Sequence, residues 1–219
     1  MTVPEATRGG LRPFLIETFG FWPQEGIRRW PLHRARLLRS AEHLGYPSDP
    51  QRLDAQVAGL SAEMMKEEAP RRCRLTLDDE GSVKIETSPM APHAGPWTVE
   101  LSPVRLRSDD LWLRIKSSNR ALYDQVRQQI ARPDHEVIFA NERGELCEGT
   151  ITNLFVEDAQ GRRLTPALAC GLLPGVLRQT LLDDGFAEAV LTLADLRAAR
   201  KVWVGNSLRG LIPARLKAA

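Results

Sequence analysis

Two residues have the type and the setting to do covalent and acid–base work. Lysine is scarce in this chain: Lys66, Lys84, Lys116, Lys201 and Lys217 stand against a large excess of arginine. Lys116 follows the apolar run LWLRI and precedes the polar SSNR, the place where a strand leaves its sheet and presents a side chain at its end. A lysine partly withdrawn from water can lose its proton and attack a carbonyl carbon. Taken alone it is outweighed by the plainer reading, a solvated surface group. Glu148 is the second residue, in CEGTITNLF at 147–155. Strands are depleted in Gly and Glu, so this stretch serves something besides strand stability. A carboxylate on a rigid strand beside small residues suits the protonated ring nitrogen of a flat electron-accepting cofactor such as pyridoxal phosphate. The plainer alternative is a charge at a strand edge.

Three further groups could hold anions. GLLPGVLRQTLL lacks the Gly-Lys-Ser/Thr of a P-loop, but its Pro174-Gly175 turn opens a helix, leaving the backbone N–H groups of Val176 and Leu177 for a phosphate. In GNSLRGLIP, Asn206 and Ser207 can donate to phosphate and Arg209 can hold a carboxylate; Arg74, in RRCRL, is a second cation for a carboxylate. Arg36 shares one helix with Arg34 and Arg39, a grouping that by itself reads as a solvated face.

The elements that must position these residues follow from periodicity and punctuation. FLIETFGF reads as a strand, and RWPLHRARLLRSAEHLGYP as a helix with Pro31 in its first turn, Leu37, Ala41 and Leu44 on one face, and Gly45 and Pro47 at its end. A second helix is expected over about residues 50 to 68, then a hairpin, CRLTLDDEGSVKIET, turning at Asp79-Glu80-Gly81. TSPMAPHAGPW at 87–97 reads as loop and WTVELSPVRL as a strand. The polar link RSDD predicts a domain boundary, with a small N-terminal α/β domain over 1–107 and a larger, β-rich C-terminal domain over 108–219. There, LWLRIKSSNRALYDQVRQQIA predicts a short strand running into a helix, and HEVIFANERGELCEGTITNLFVEDAQGRRLTP a meander turning at 141–144 and 158–161. A helix from Pro174-Gly175 to Gly185 follows, then a strand, a short helix, a strand and a polar loop. The fold class is α+β.

Composition narrows the function. At 219 residues, with 42% hydrophobic and 26% charged residues, this is the profile of a globular protein with a sizeable core. A net charge of +2 is too balanced for a polyanion or an anionic membrane. The basic stretch RRWPLHRARLLR is not a nucleic-acid surface, because Arg34 falls on a different helical face from Arg36 and Arg39 and no aromatics interleave for stacking. No apolar run approaches the ~20 residues that span a bilayer, and MTVPEATRGGLRPF lacks the layout of a signal peptide, so a cytoplasmic location is expected. Cys73, Cys147 and Cys170 are odd in number and widely spaced, which predicts buried reduced thiols and no metal site.

The order KSSNRALYD, NERGELCEGTITNLFV, LTPALACGLLPGVLRQTLL, VWVGNSLRGLIPA, with HRARLLRSAEHLG upstream, resembles the class IV, or D-alanine aminotransferase type, family of pyridoxal-phosphate enzymes. The similarity is closest to the 4-amino-4-deoxychorismate lyase branch. It runs clearly from about residue 110 to 214 and more loosely from 14 to 47. It implies a two-domain fold type IV architecture, pyridoxal 5'-phosphate as cofactor, a small-molecule substrate and a homodimer. By position it makes Lys116 the residue that bonds the cofactor and shuttles the proton, and Glu148 the partner of the pyridine nitrogen, with Gly149 and the neighbouring threonines making room for the ring. Arg36, the N–H groups of Val176 and Leu177, and Ser207 would hold the phosphate, and Arg209 and Arg74 the substrate. The chain departs from the family in two places. Branched-chain aminotransferases usually carry Thr where Leu177 stands, although the lyase branch tolerates an apolar residue, and the hairpin that normally precedes the FLIET segment is missing. The reactions implied are a lyase forming 4-aminobenzoate and pyruvate or a transaminase acting on D- or branched-chain amino acids.

Overall fold

The computed structural model describes residues 12–90 and 95–217, and it divides into two compact units. Unit 1 takes the chain up to Ala91 together with Ile115–Asn119; unit 2 takes Pro92–Arg114 and everything from Arg120 onward. The single boundary expected at 107/108 differs from this for two physical reasons. The strand WTVELSPVRL pairs with strands of unit 2, and the segment around Lys116 pairs with the first strand of unit 1.

Unit 1 is a four-stranded antiparallel sheet with two helices. Its strands are β1 (Leu15–Trp22), β2 (Gly26–Ile27), β3 (Arg71–Leu77) and β4 (Val83–Pro89), in the order β2-β1-β3-β4; its helices are α1 (Trp30–Leu44) and α2 (Pro50–Met64). Alternation along β1 and β3 sends Leu15, Phe19, Phe21, Cys73, Leu75 and Leu77 into the core. Glu17 lies in that same series. α1 begins with Pro31 in its first turn and ends at Gly45, whose φ of 67° carries the chain out of the helix. Its buried stripe is not purely apolar: His33, Arg36 and Ser40 share it with Leu37, Ala41 and Leu44. α2 is capped by Asp49, whose carboxylate accepts from the N–H groups of Gln51 and Arg52.

Unit 2 is built on β5 (Trp97–Leu106), β6 (His135–Asn141), β7 (Leu146–Gly149), β8 (Asn153–Glu157), β9 (Arg163–Pro166), β10 (Ala187–Ala189), β11 (Lys201–Asn206) and β12 (Gly210–Leu216). The strand order is β10-β9-β8-β11-β12-β5-β6-β7, and β7 pairs back to β8 through Glu148 and Asn153, closing a barrel. β5 runs parallel to both β6 and β12, while the meander and the β11–β12 pair are antiparallel. Val99, Ile138, Leu146, Leu154, Val204 and Ile212 fill its centre. Three helices complete it: α3 (Ala121–Gln128), α4 (Val176–Asp183) and α5 (Leu193–Ala198).

Three local expectations are corrected. LWLR is a 3-10 turn over Leu111–Arg114, not a strand: Asp110 accepts from the N–H of Trp112 and starts the turn, and only Ser117 makes a strand-like bridge. The last segment does not end as a polar loop, because after a turn at 206–209 the chain returns as β12. Thr87–Pro89 and Trp97, taken for loop, belong to β4 and β5.

Candidate active site

In unit 1, the residues set apart by chemistry gather around β1. The chain at 116–118 lies against its start: the Ile16 N–H donates to the Lys116 carbonyl at 2.8 Å, and the Ser118 N–H to the Phe14 carbonyl at 2.9 Å. Lys116 is half-buried, and it sits in irregular backbone fixed to a strand, not at a strand end. Two positions along from Leu15, Glu17 enters the core at 1% exposure. Arg36 donates to it through Nε at 2.9 Å and Nη2 at 2.6 Å, and the Nδ1 of His33 is 2.6 Å from the same Oε2. Burial alone would raise the Glu17 carboxyl, but the Arg36 charge, with the His33 hydrogen bond, carries it down to about 2. Burial pushes His33 below its ordinary value against the pull of Glu17. At neutral pH His33 is therefore an uncharged ring donating to a carboxylate, and Arg36 is a buried, oriented cation rather than part of a solvated face. Arg39 does stay exposed. Arg74 lies mid-strand in β3, opposite Thr18 and Glu86 and half-buried.

In unit 2, Glu148 is buried at 6% exposure, which removes the strand-edge alternative. Both of its oxygens are engaged. Tyr123 on α3 donates its hydroxyl to Oε1 at 2.9 Å, and Asn153, its partner across β7–β8, reaches toward Oε2 at 3.4 Å while donating to the Leu173 carbonyl at 3.1 Å. Burial, then the Glu148 charge, push the Tyr123 phenol well above its usual range, so it remains a donor. Sequence reasoning missed Tyr123. It lies on a helix 25 residues upstream, and only the fold brings it to Glu148.

The small residues after Glu148 serve a different partner from the one expected. A Cβ on Gly149 would stand 2.5 Å from Thr152 Oγ1 and 2.7 Å from the Glu136 carboxyl carbon. The space is filled by this chain's own acid, not kept for a ring. Glu136, from β6, is fully buried. Its Oε1 accepts from the Thr150 N–H at 3.0 Å, the Thr150 hydroxyl at 2.5 Å and the Val137 N–H at 3.0 Å; its Oε2 accepts from the Thr152 hydroxyl at 2.9 Å and the Ile151 N–H at 3.3 Å. The sequence did hold a signal, an acid inside HEVIFAN, a strand buried on both faces.

The residues of unit 2 expected at a phosphate lie at the start of α4 and in the turn after β11. α4 starts after Gly175 with no side-chain cap and no acid in its first turn, and Val176 and Leu177 are buried there. Asn153 packs against the Gly175 Cα, where any side chain would collide. Ser207 is buried in the turn after β11. Asn206, considered as a phosphate donor, is occupied otherwise: its Nδ2 donates to the Ile151 carbonyl and its Oδ1 accepts from the N–H groups of Leu208 and Arg209. The Arg209 guanidinium lies over the Trp97 ring, 5.8 Å from its centre. Cys73, Cys147 and Cys170 are reduced and buried, and burial raises all three thiols. Among the described residues there is no cluster that could hold a metal ion, and no helix is long and apolar enough to cross a membrane.

The donor set fits pyridoxal phosphate. A buried acid with fixed oxygens suits a protonated ring nitrogen, a helix start without a side-chain cap and a buried serine in the same unit suit a phosphate, and unit 1 holds a buried arginine and a half-buried lysine. Comparison with known proteins agrees. Residues 15–216 match the model of the amino-transferase class IV family, and the chain belongs to that family, with the mixed α+β architecture of its fold IV members. It is 26% identical over 190 residues to a Schizosaccharomyces pombe protein named "Putative aminodeoxychorismate lyase", covering 82% of this chain and 80% of that one. A solved structure from Mesorhizobium loti, described as a "Putative amino-acid aminotransferase", is 45% identical with a TM-score of 0.86, covering 94% of this chain and 100% of the other. A hypothetical aminotransferase from Mycobacterium tuberculosis, solved in a PLP-bound form, shares the fold at a TM-score of 0.80 and 20% identity, over 93% of this chain and 81% of that one. Family and neighbour together imply pyridoxal phosphate as the cofactor class.

Proposed function

We propose that this protein is a pyridoxal-phosphate enzyme whose reaction is that of a 4-amino-4-deoxychorismate lyase, releasing pyruvate and 4-aminobenzoate. The observation that carries the cofactor half of the reading is Glu148, buried and fixed on both oxygens by Tyr123 and Asn153. When bound, the cofactor supplies an electron sink for a carbon that carries an amine. The residues do the rest. Glu148 keeps a proton on the ring nitrogen, Arg36, Ser207 and the N–H groups of Val176 and Leu177 hold the phosphate, and Lys116 holds the cofactor and moves the proton at the amine-bearing carbon. The lyase half is supported by the similarity to the Schizosaccharomyces pombe protein and by the chemistry of the substrate, whose ring and enolpyruvyl carboxylates call for cations such as Arg209 and Arg74. The second reading is an aminotransferase acting on D- or branched-chain amino acids, favoured by the higher identity to the Mesorhizobium loti protein. A homodimer in the cytoplasm completes the proposal.

The deciding experiment supplies aminodeoxychorismate in one reaction, and D-alanine or leucine with 2-oxoglutarate in another. The lyase predicts 4-aminobenzoate and pyruvate without added keto acid. Glutamate formation alone, with Arg209→Ala harmless, decides for the aminotransferase. Borohydride reduction followed by peptide mapping should place the cofactor on Lys116; label on Lys84 or Lys201 overturns that assignment. Glu148→Gln should bind cofactor but lose most turnover, since a neutral amide does not hold the ring proton. Unchanged turnover at full occupancy would remove Glu148 from the chemistry.

A further inference from the structure

Glu136 holds a short segment that is linked, through Arg120 and Tyr123 on one side and through Asn206 on the other, to residues assigned to cofactor and substrate. Its two oxygens gather the hydroxyls of Thr150 and Thr152 and the N–H groups of Thr150 and Ile151. The carbonyls of that segment face the other way and are used as well. The Thr150 carbonyl accepts from Arg120 Nη2 at 2.9 Å, and the Arg120 guanidinium lies 5.7 Å from the centre of the Tyr123 ring, whose hydroxyl donates to Glu148. The Ile151 carbonyl accepts from Asn206 Nδ2 at 3.1 Å, and the same Asn206 side chain ties down the N–H groups of Leu208 and Arg209, closing the turn that contains Ser207. One segment of three residues therefore braces both the acid at the ring end and the turn at the phosphate end, and Glu136 is what fixes its N–H side.

We propose that Glu136 is a positioning residue that keeps the Glu148 carboxylate and the Asn206–Arg209 turn in register, so that ring and phosphate are gripped together. The inference rests on the reading of Glu148 and Ser207 as cofactor ligands. No other side chain replaces it. Each carboxylate oxygen accepts at least two hydrogen bonds, so a glutamine, in whichever orientation, turns an NH2 group toward donors. An aspartate is one methylene short of the same donors.

The test titrates apo-protein with pyridoxal phosphate, with inorganic phosphate as competitor, and measures the melting of the apo-protein beside it. Glu136→Gln should raise the cofactor dissociation constant about tenfold or more, the scale of losing charge-assisted contacts, and should weaken phosphate competition as well. It should also shift the pH midpoint of the bound-cofactor absorbance, because Glu148 is no longer held in place. If this variant does not fold, the double variant Thr150→Val/Thr152→Val removes both hydroxyl donors and should raise the dissociation constant severalfold. A lowered melting temperature with cofactor and phosphate affinities unchanged makes Glu136 a stabiliser of the fold only and overturns the proposal. A wild-type protein that binds no pyridoxal phosphate overturns the parent reading and this one with it, whereas binding by wild type and an equal variant overturns this one alone.

Discussion

Each unit buries a strand carboxylate almost completely, Glu17 in β1 and Glu136 in β6, and the two are compensated in opposite ways. Glu17 is answered by ionisable groups, a guanidinium and an imidazole. Glu136 is answered mainly by hydroxyls and backbone N–H groups, with Arg127 only at 3.8 Å. The first arrangement fixes a charge, since Arg36 is oriented by the acid it neutralises. The second fixes a shape, since all but one of its hydrogen-bond donors lie in one short segment, the exception being the Val137 N–H.

The largest way to break this contrast is Glu17→Gln, which leaves Arg36 buried opposite a neutral group. Equilibrium denaturation should show a loss of about 3–5 kcal/mol, the range for breaking a buried ion pair; a loss under about 1 kcal/mol would mean that Arg36 finds another acceptor. Next comes Gly149→Ala, which forces a methyl into the space of Thr152 and Glu136. Overpacking of this kind costs about 1–3 kcal/mol, and the cofactor affinity should fall with it; a neutral substitution would show that the segment yields easily. The smallest effect concerns pH. Glu17, lowered from 4.5 to about 2, gives stability that is present above 4.5 and is lost as the pH falls toward 2. His33, lowered from 6.5, adds in the same direction, since the unfolded chain takes up a proton below 6.5 that the folded one refuses. Stability measured by thermal melting should thus decline from about pH 6.5 downward. In His33→Asn the part of the decline between 6.5 and 4.5 should vanish; its persistence would trace it to other groups.

Much of this could be read in the chain, and the exceptions share a cause. Alternation gives away the hairpin of unit 1, because one-faced burial leaves a period of two, whereas the meander, whose strands are buried on both faces, is legible from its turn residues. Lys116 was singled out by its scarcity and neighbours, but its seat was misread: a short apolar run looks alike as strand or 3-10 turn, and its pairing partner is a strand about a hundred residues earlier. Glu148 stood out because glutamate and glycine are misplaced in a strand. The threonines beside it were assigned to a cofactor ring because Glu136, the residue they serve, is remote in sequence and itself inconspicuous. Arg36 read as surface because a helix displays its own periodicity but not the acid waiting on a strand beneath it.

The seat of Lys116 has a kinetic meaning. The five residues Ile115–Asn119 belong to unit 1, while the chain on either side of them belongs to unit 2. The hydrogen bond from the Phe14 N–H to the Ser118 hydroxyl closes a loop of 104 residues. Closure of so long a loop grows only slowly in entropic cost, but it is a non-local contact, and such contacts are slow to form. Residues 12–90 can collapse on their own sheet and helices during synthesis, yet they remain without Lys116 until some 30 further residues have been made. Lys116 is thus installed late, by a segment whose neighbours on both sides in the chain fold into the other unit.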